Sequence, residues 1–551
     1  MKMSQMMRKV IGYQWGLYTL SAVGWLLFHA WPLLPGLVAK AYFDRMEAGP
    51  AGKGVVVWFA LLAVAVGAGR ALVTLGGIYF HLPYRYRVQK LIQGNLLHRV
   101  LARPGARALP ATVGDAISTL RDDVNTVMDA VDLSFDGLAG LLYAGGCVAV
   151  LLGVDWQVTL LVFVPIGLVI GLAHAVRVRQ VKVREESRAS TARLTGALGE
   201  IFGGVQALQV AGAEGRAVGY IRALGDARQA AALRERRQAL TLEAVFENTA
   251  GLGAGLVLLV AAGKIAAGTF SVGDLALFTG YLVDVAGFTG FLGFIINTYR
   301  QGGVSLGRLV GLLQGAPAER LVAVEPGGAP GSAGVARLER LEVRNLTCRP
   351  GASDRGITDI SFAVARGSFT VITGRVGAGK STLVRAILGL LEPQAGEVRW
   401  NGERVERLEP PRVAYTAQVP TLLSGTLREN ILLGWPAAPG ALDRAIRSAV
   451  LEQDLAGFPQ GLETPIGTRG LKLSGGQVQR TAAARMFVRD AELLIFDDLS
   501  SALDAETEAL LWQRVRERNA TCLVVSNRPG ALALADQVLH LEEGRLVSGT
   551  Y

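Results

Sequence analysis

Apolar residues are concentrated before residue 300, in stretches running from about Leu17 to Ala39, Val55 to Phe80, Gly137 to Val154, Val158 to Ala175, Ala250 to Ala267 and Val272 to Ile296. Each approaches the ~20 residues that a helix needs to cross a bilayer, so the pattern predicts six spans. Short connections join the spans in pairs, and long polar segments separate the pairs. Those segments are basic: one carries Arg85, Arg87, Lys90, Arg99, Arg103, Arg107 and Arg121, the other Arg177, Arg179, Lys182, Arg184, Arg188, Arg234, Arg236 and Arg237. By the positive-inside rule both face the cytoplasm. Lys2, Arg8 and Lys9 put the N-terminus on the same side, and an even number of spans then delivers the C-terminal third there as well.

Residues 314–336, rich in Gly, Pro and Ser, break any helical period and predict a linker. An all-helical membrane domain is therefore expected over 1–313 and an α/β domain over 337–551. In the latter, the strand-like run Phe369 to Ile372 leads into a Gly-rich turn, and Leu383 to Leu391 reads as the following helix. With 551 residues, 50% of them hydrophobic, and a mean hydropathy of +0.34, the chain is too apolar for an ordinary soluble enzyme. Its net charge of +10 is a possible footprint for nucleic acid. Much of the excess sits in the two basic loops, where orientation and anionic lipid headgroups account for it, so membrane lipids are expected partners and nucleic acid is not. Cys147, Cys348 and Cys522 form neither a C-x-x-C nor a metal-ligand spacing and read as free thiols. The first apolar stretch is too long for a cleavable signal and lacks a small-residue cleavage pattern, so it is expected to remain.

Three short motifs carry the chemistry. Gly374-Arg375-Val376-Gly377-Ala378-Gly379-Lys380-Ser381, followed by Thr382, is a G-x-x-x-x-G-K-S loop between a strand and a helix. Glycines let backbone N–H groups approach phosphate oxygens, Lys380 supplies a cation to the outer phosphates, and Ser381 offers a hydroxyl to Mg2+. Leu493-Leu494-Ile495-Phe496-Asp497 is an apolar strand ending in a carboxylate suited to a magnesium ion. Leu473-Ser474-Gly475-Gly476-Gln477 stands between them.

In this order the motifs resemble those of the ATP-binding cassette (ABC) transporters, exporter class, over nearly the entire chain. The resemblance implies a six-helix transmembrane domain followed by a P-loop nucleotide-binding domain, with ATP and Mg2+ as cofactors. It also implies a Q-loop glutamine at Gln418, near the metal with Ser381 and Asp497, and a D-loop at Ser501-Ala502-Leu503-Asp504 along a dimer seam. Ser474, Gly475, Gly476 and Gln477 would meet the γ-phosphate of an ATP held by a second half-transporter, so one cassette cannot complete a site. Turns of the cytoplasmic helices near Arg107 to Gly114 and Ala211 to Gly219 are expected to dock on nucleotide domains.

The sequence departs from that family around one ATP site. Asp498 stands where a glutamate usually orients the attacking water, which withdraws the carboxylate by a little over ~1 Å, and misplacement of that size can cost ~10²-fold in rate. Asn527 replaces the H-loop histidine; it can hydrogen-bond but is shorter and cannot become an imidazolium. No aromatic residue occurs from Leu341 to Ile360 to stack on adenine, and Arg349 is a weaker substitute. A helical tail common in the family is expected to be missing after the last strand. Together these changes predict a catalytic set of Asp498, Asn527 and Gln418 that binds ATP better than it cleaves it, while the intact signature serves a partner chain with Glu and His restored. An ATP-gated regulator of the same fold and a slow homodimer are the alternatives. The cargo, a small molecule, lipid or peptide, is left open; His29, Arg70 and Asp284 are candidate pathway residues, with an Arg70–Asp284 packing pair as the plainer reading.

Overall fold

In a computed structural model, residues 1–49, 52–103, 109, 113–324, 336–350, 355–467 and 472–547 are described. They divide into two compact units: Met1–Arg99 with Pro110–Val324, and Val100–Leu109 with Glu325–Tyr551.

The first unit is helical: α1 (Met3–Tyr13), α2 (Trp15–Ala30), α3 (Leu33–Glu47), α4 (Lys53–Ala102), α5 (Val113–Ser118), α6 (Val124–Val154), α7 (Trp156–Gly203), α8 (Val205–Val210), α9 (Glu214–Ala266) and α10 (Val272–Leu312). The first predicted span is α2 and α3, broken at Trp31–Pro32 where proline removes a backbone donor. A π-helical turn at Thr119–Asp123 joins α5 to α6. Among the described residues, the segments Trp15–Glu47, Lys53–Ala102 and Val113–Val154 are long and apolar enough to cross a membrane. The other three predicted spans fall on α7, α9 and α10, whose side chains are described only in part. On α4, Leu61, Val64 and Leu72 are 63–71% exposed, an apolar face suited to lipid contact.

Without a strong hydrophobic drive between helices in lipid, small residues permit close packing. A Cβ on Gly140 of α6 would come within 2.0 Å of Cε2 of Phe288 on α10. Gly140→Val is therefore expected to destabilise the full chain by about 1–3 kcal/mol, read as a lower thermal midpoint in detergent, and an unchanged midpoint would refute the tight packing.

The expected linker starts too early. Residues 314–324 belong to the membrane unit, because Leu321 is buried and Asn95 Nδ2 donates to the carbonyls of Arg320, Leu321 and Ala323 at 2.8–3.0 Å. The turn at Ala211–Ala213, between α8 and α9, is where a helical hairpin was expected, whereas most of Arg107 to Gly114 lies outside the described residues.

The second unit contains β1 (Arg340–Cys348), β2 (Ile357–Ala365), β3 (Phe369–Thr373), α11 (Lys380–Ile387), β4 (Ala395–Trp400), β5 (Glu403–Val405) and β6 (Val413–Thr416). It continues with α12 (Leu427–Leu432), α13 (Ala441–Ser448), α14 (Glu452–Gly457), α15 (Gly475–Phe487), β7 (Leu493–Asp497), α16 (Ala505–Glu517), β8 (Thr521–Val525), α17 (Pro529–Leu532), β9 (Gln537–Glu542) and β10 (Arg545–Val547). A four-stranded sheet has the order β2-β1-β4-β5, and a six-stranded sheet the order β10-β9-β3-β8-β7-β6. In the larger sheet β9, β3, β8, β7 and β6 pair in parallel. Strands β7 and β8 are buried at every position, as expected of parallel strands covered on both faces. Register pairs Asp497 and Ile372 with Val525, so β3, β7 and β8 end at one edge, where ligands bind in open α/β sheets.

Candidate functional site

The loop after β3 has the shape that its glycines permit. Gly374, Gly377 and Gly379 have φ values of +147°, +87° and +101°, a region closed to most side chains. A Cβ on Gly374 would lie 2.1 Å from the Leu541 carbonyl oxygen, so this position also has no room for one. Lys380 Nζ donates to the carbonyls of Gly374 at 2.7 Å and Arg375 at 3.0 Å, which holds the ammonium over the loop. Burial lowers its pKa, opposed by the charges of Asp498 and Asp497. Ala378 is buried, and its carbonyl accepts from Gly544 N at 3.1 Å, which backs the loop against the β9–β10 turn.

Ser381 and Thr382 open α11. Ser381 Oγ donates to Asp497 Oδ1 at 3.0 Å, and Tyr415 Oη donates to Asp497 Oδ2 at 3.4 Å. Burial raises the Asp497 carboxyl above the usual carboxylate range, partly offset by the Ser381 bond and the Arg385 charge. Burial likewise pushes the Tyr415 phenol up to about 12. A hydroxyl and a carboxylate brought together beside an anion-shaped loop are an oxygen donor set of the kind Mg2+ takes alongside phosphates, so the site fits that ion. Bound there, it would neutralise charge on the outer phosphates.

Asp498 has left-handed backbone, φ +53°, and its N–H donates to the Val525 carbonyl at 3.0 Å. Its carboxylate accepts from Gln418 Nε2 at 3.3 Å. Burial raises this carboxyl too; the Gln418 bond and the charges of Arg528 and Lys380 work against the rise. Gln418, placed from sequence beside the metal, is thus brought to the neighbouring carboxylate.

Asn527 is engaged with the start of the phosphate loop. Its Oδ1 accepts from Thr373 Oγ1 at 2.8 Å and from Gly374 N at 3.1 Å, while its Nδ2 donates to the Gly374 carbonyl at 3.0 Å. A planar amide can match the backbone donor and acceptor of one residue in this way, whereas a neutral imidazole holds its donor and acceptor on separate edges of a ring. Asn527 therefore fastens the first glycine of the loop. Arg349 follows β1, with its backbone held from both sides by Gln394 at 2.8 and 2.9 Å and its side chain exposed.

Ser474 caps α15: its hydroxyl accepts from Gln477 N at 3.3 Å, and its N–H donates to Gln477 Oε1 at 2.9 Å. Gly475 and Gly476 form the first turn, leaving helix N–H groups free of side-chain cover. The anchor beneath was missed in the sequence. Asp454 receives Arg480 at 2.8 and 2.9 Å and Gln477 Nε2 at 3.2 Å, and no short motif marks it. Asp504 caps α16 by accepting from Thr507 N at 2.9 Å and Thr507 Oγ1 at 2.8 Å, bonds that lower its pKa. Arg528 ties this segment to the Asn527 loop, donating to the Leu503 carbonyl at 3.2 Å and to Glu508 at 2.7 Å.

A strand, Gly loop and helix, with a buried carboxylate at the end of β7, separated from β3 only by β8, define a P-loop nucleotide-binding unit, here carried on the same chain as a helical membrane unit. The family model described as "ABC transporter" matches residues 357–501, and that described as "ABC transporter transmembrane region" matches residues 17–285. The chain belongs to the ABC transporters that fuse both domains in one polypeptide, a membrane-spanning ATP-driven transporter with the exporter-type fold and a cytoplasmic ATP-binding domain. It is 29% identical over 469 residues to the ATP-dependent lipid A-core flippase of Xanthomonas campestris pv. campestris, covering 83% of this chain and 78% of that protein. The protein of the same description from Xylella fastidiosa is 28% identical over 468 residues with the same coverage. A bacterial Atm1-family ABC exporter solved with ATP bound shares the fold, with a TM-score of 0.73 at 22% identity, covering 98% of this chain and 94% of that one.

Proposed function

We propose that the chain is one half of a dimeric exporter for a lipid-like amphiphile, and that its own nucleotide loops form a slow ATP site. Gly374 to Thr382 cradle the phosphates, Ser381, Asp497 and Gln418 hold Mg2+, and Arg349 lies against the adenine. Ser474 to Gln477, with Asp504 along the seam, complete the site of a second half-transporter. The lipid-like cargo is inferred from the flippases that the chain resembles.

The observation that carries the slow site is the engagement of Asn527 with Gly374. Both polar atoms of its amide are committed to Gly374, which supports a structural use of the position where the family has its histidine, while Asp498 offers a carboxylate one methylene short. An ATP-holding site of this kind favours a heterodimer in which the partner carries Glu and His at the corresponding positions.

The chain reconstituted alone in lipid nanodiscs should bind ATP and turn it over slowly. Addition of a half-transporter with both residues restored should speed turnover. Rapid hydrolysis by the chain alone overturns the slow site, and tight binding without any lipid-stimulated turnover in the pair would favour the ATP-gated regulator.

A further inference from the structure

Two side chains of opposite charge line one cavity of the membrane unit. The cavity, of about 830 Å³, is bounded by Arg70 of α4 and Asp284 of α10 together with mostly apolar residues. The expected packing pair between them is not formed. The Arg70 guanidinium stands 5.3 Å from the centre of the Phe28 ring, and the Asp284 carboxylate accepts from the Tyr143 hydroxyl. Neither makes an ion pair among the described residues.

Both positions fall within predicted membrane spans, where an ionised group without a counter-charge is costly and marks a pathway or a ligand. A ring face and a neutral hydroxyl orient these groups without neutralising them. A second cavity of about 460 Å³ shares Arg70, Pro35 and Phe43 with the first, and Trp31, Val38 and Phe59 help to line it. Its lining is apolar save for Arg70, the hydroxyl of Tyr42 and the indole N–H of Trp31, which donates to the Val66 carbonyl at 2.8 Å. The shared boundary thus has a cation, an anion across the larger space, and a greasy recess alongside.

We propose that these cavities form a binding site for a zwitterionic amphiphile. An anionic phosphate group pairs with Arg70, whose planar fork matches phosphate oxygens. An ammonium group pairs with Asp284, and an acyl chain enters the apolar recess. Charge arithmetic sets the class: a purely anionic headgroup meets Asp284 as a like charge, and a purely cationic one meets Arg70. The assignment rests on the lipid-like cargo proposed above and specifies its headgroup.

The test uses the full chain in detergent micelles, measuring displacement of a fluorescent phosphatidylethanolamine by three short-chain competitors. These are phosphatidylethanolamine, phosphatidylglycerol and a trimethylammonium lipid without phosphate. The zwitterion should displace the probe at a concentration about tenfold below either singly charged lipid, as one lost charge pairing of ordinary strength predicts. Asp284→Asn should bring phosphatidylglycerol level with phosphatidylethanolamine, and Arg70→Gln should do the same for the trimethylammonium lipid. Arg70→Asp combined with Asp284→Arg should keep the zwitterion preference, which shows that loss in the single variants is not misfolding.

Equal competition by the three headgroups in the unmodified chain, or a preference that survives both single substitutions, overturns the site. Lipid-stimulated ATP turnover separates this from the transport reading. A headgroup preference without stimulation upholds the site and removes lipid as cargo; stimulation without a preference does the reverse.

Discussion

Replacing Asp498 by Glu and Asn527 by His together is expected to raise ATP turnover by the purified chain about 10²-fold. The two substitutions act on the two departures from which the slow site is proposed. Glutamate extends the carboxylate by one methylene, and a reacting group misplaced by about 1 Å can by itself account for ~10² in rate. Asp498 is held by Gln418 at 3.3 Å and by a backbone bond to Val525 at 3.0 Å, so the longer side chain starts from a fixed base. Histidine at 527 cannot reproduce the paired bonds to Gly374, which frees the loop start and supplies a ring that can carry a proton.

The single variants should separate the contributions. Asp498→Glu alone raises the rate with little change in ATP affinity, because Asp498 makes no bond to the phosphate loop. Asn527→His alone weakens ATP binding, because it unfastens Gly374. The measurement is steady-state phosphate release beside nucleotide affinity on the same preparations. If the double variant turns ATP over no faster than the unmodified chain, these residues do not limit the site.

How much of this was legible in the sequence depends on range. The phosphate loop is one continuous stretch whose glycines sit where the backbone must have positive φ, and Asp497 ends an apolar strand that could only be buried; both read directly from the chain. Asn527 and Gly374 are 153 residues apart and meet because β8 pairs with β3 in parallel. A substitution at position 527 could be seen, but its partner could not.

The misplaced start of the linker has a similar cause. Gly and Pro after Leu313 end the helix as expected, but the segment beyond them is held by Asn95, more than two hundred residues earlier. Likewise Arg70 and Asp284 were visible as costly residues in apolar spans. Their companions, Phe28 and Tyr143, come from other helices and decide that the two charges face a shared cavity instead of each other.

Asp454→Ala is expected to lower the stability of the nucleotide-binding unit by about 3–5 kcal/mol, the range for removing one partner of a buried ion pair. The side chains of Asp454 and Arg480 are each 14% exposed, so removal of the carboxylate leaves a guanidinium that water reaches poorly. Asp454 also holds Gln477 at 3.2 Å, and Gln477 is the residue that closes the cap on Ser474. The substitution therefore disturbs the first turn of α15, where the signature presents its N–H groups. Thermal unfolding of the full chain in detergent should show an early transition. Turnover with a partner half-transporter should fall while ATP binding at this chain's own loop, which Asp454 does not touch, persists. A double variant, Asp454→Leu with Arg480→Met, should recover most of the stability, because an apolar pair has no charge to leave unmatched. It should not recover turnover, because the tether on Gln477 stays lost. Recovery of both would make the ion pair a packing element alone, and recovery of stability without turnover assigns Asp454 to holding the signature in place.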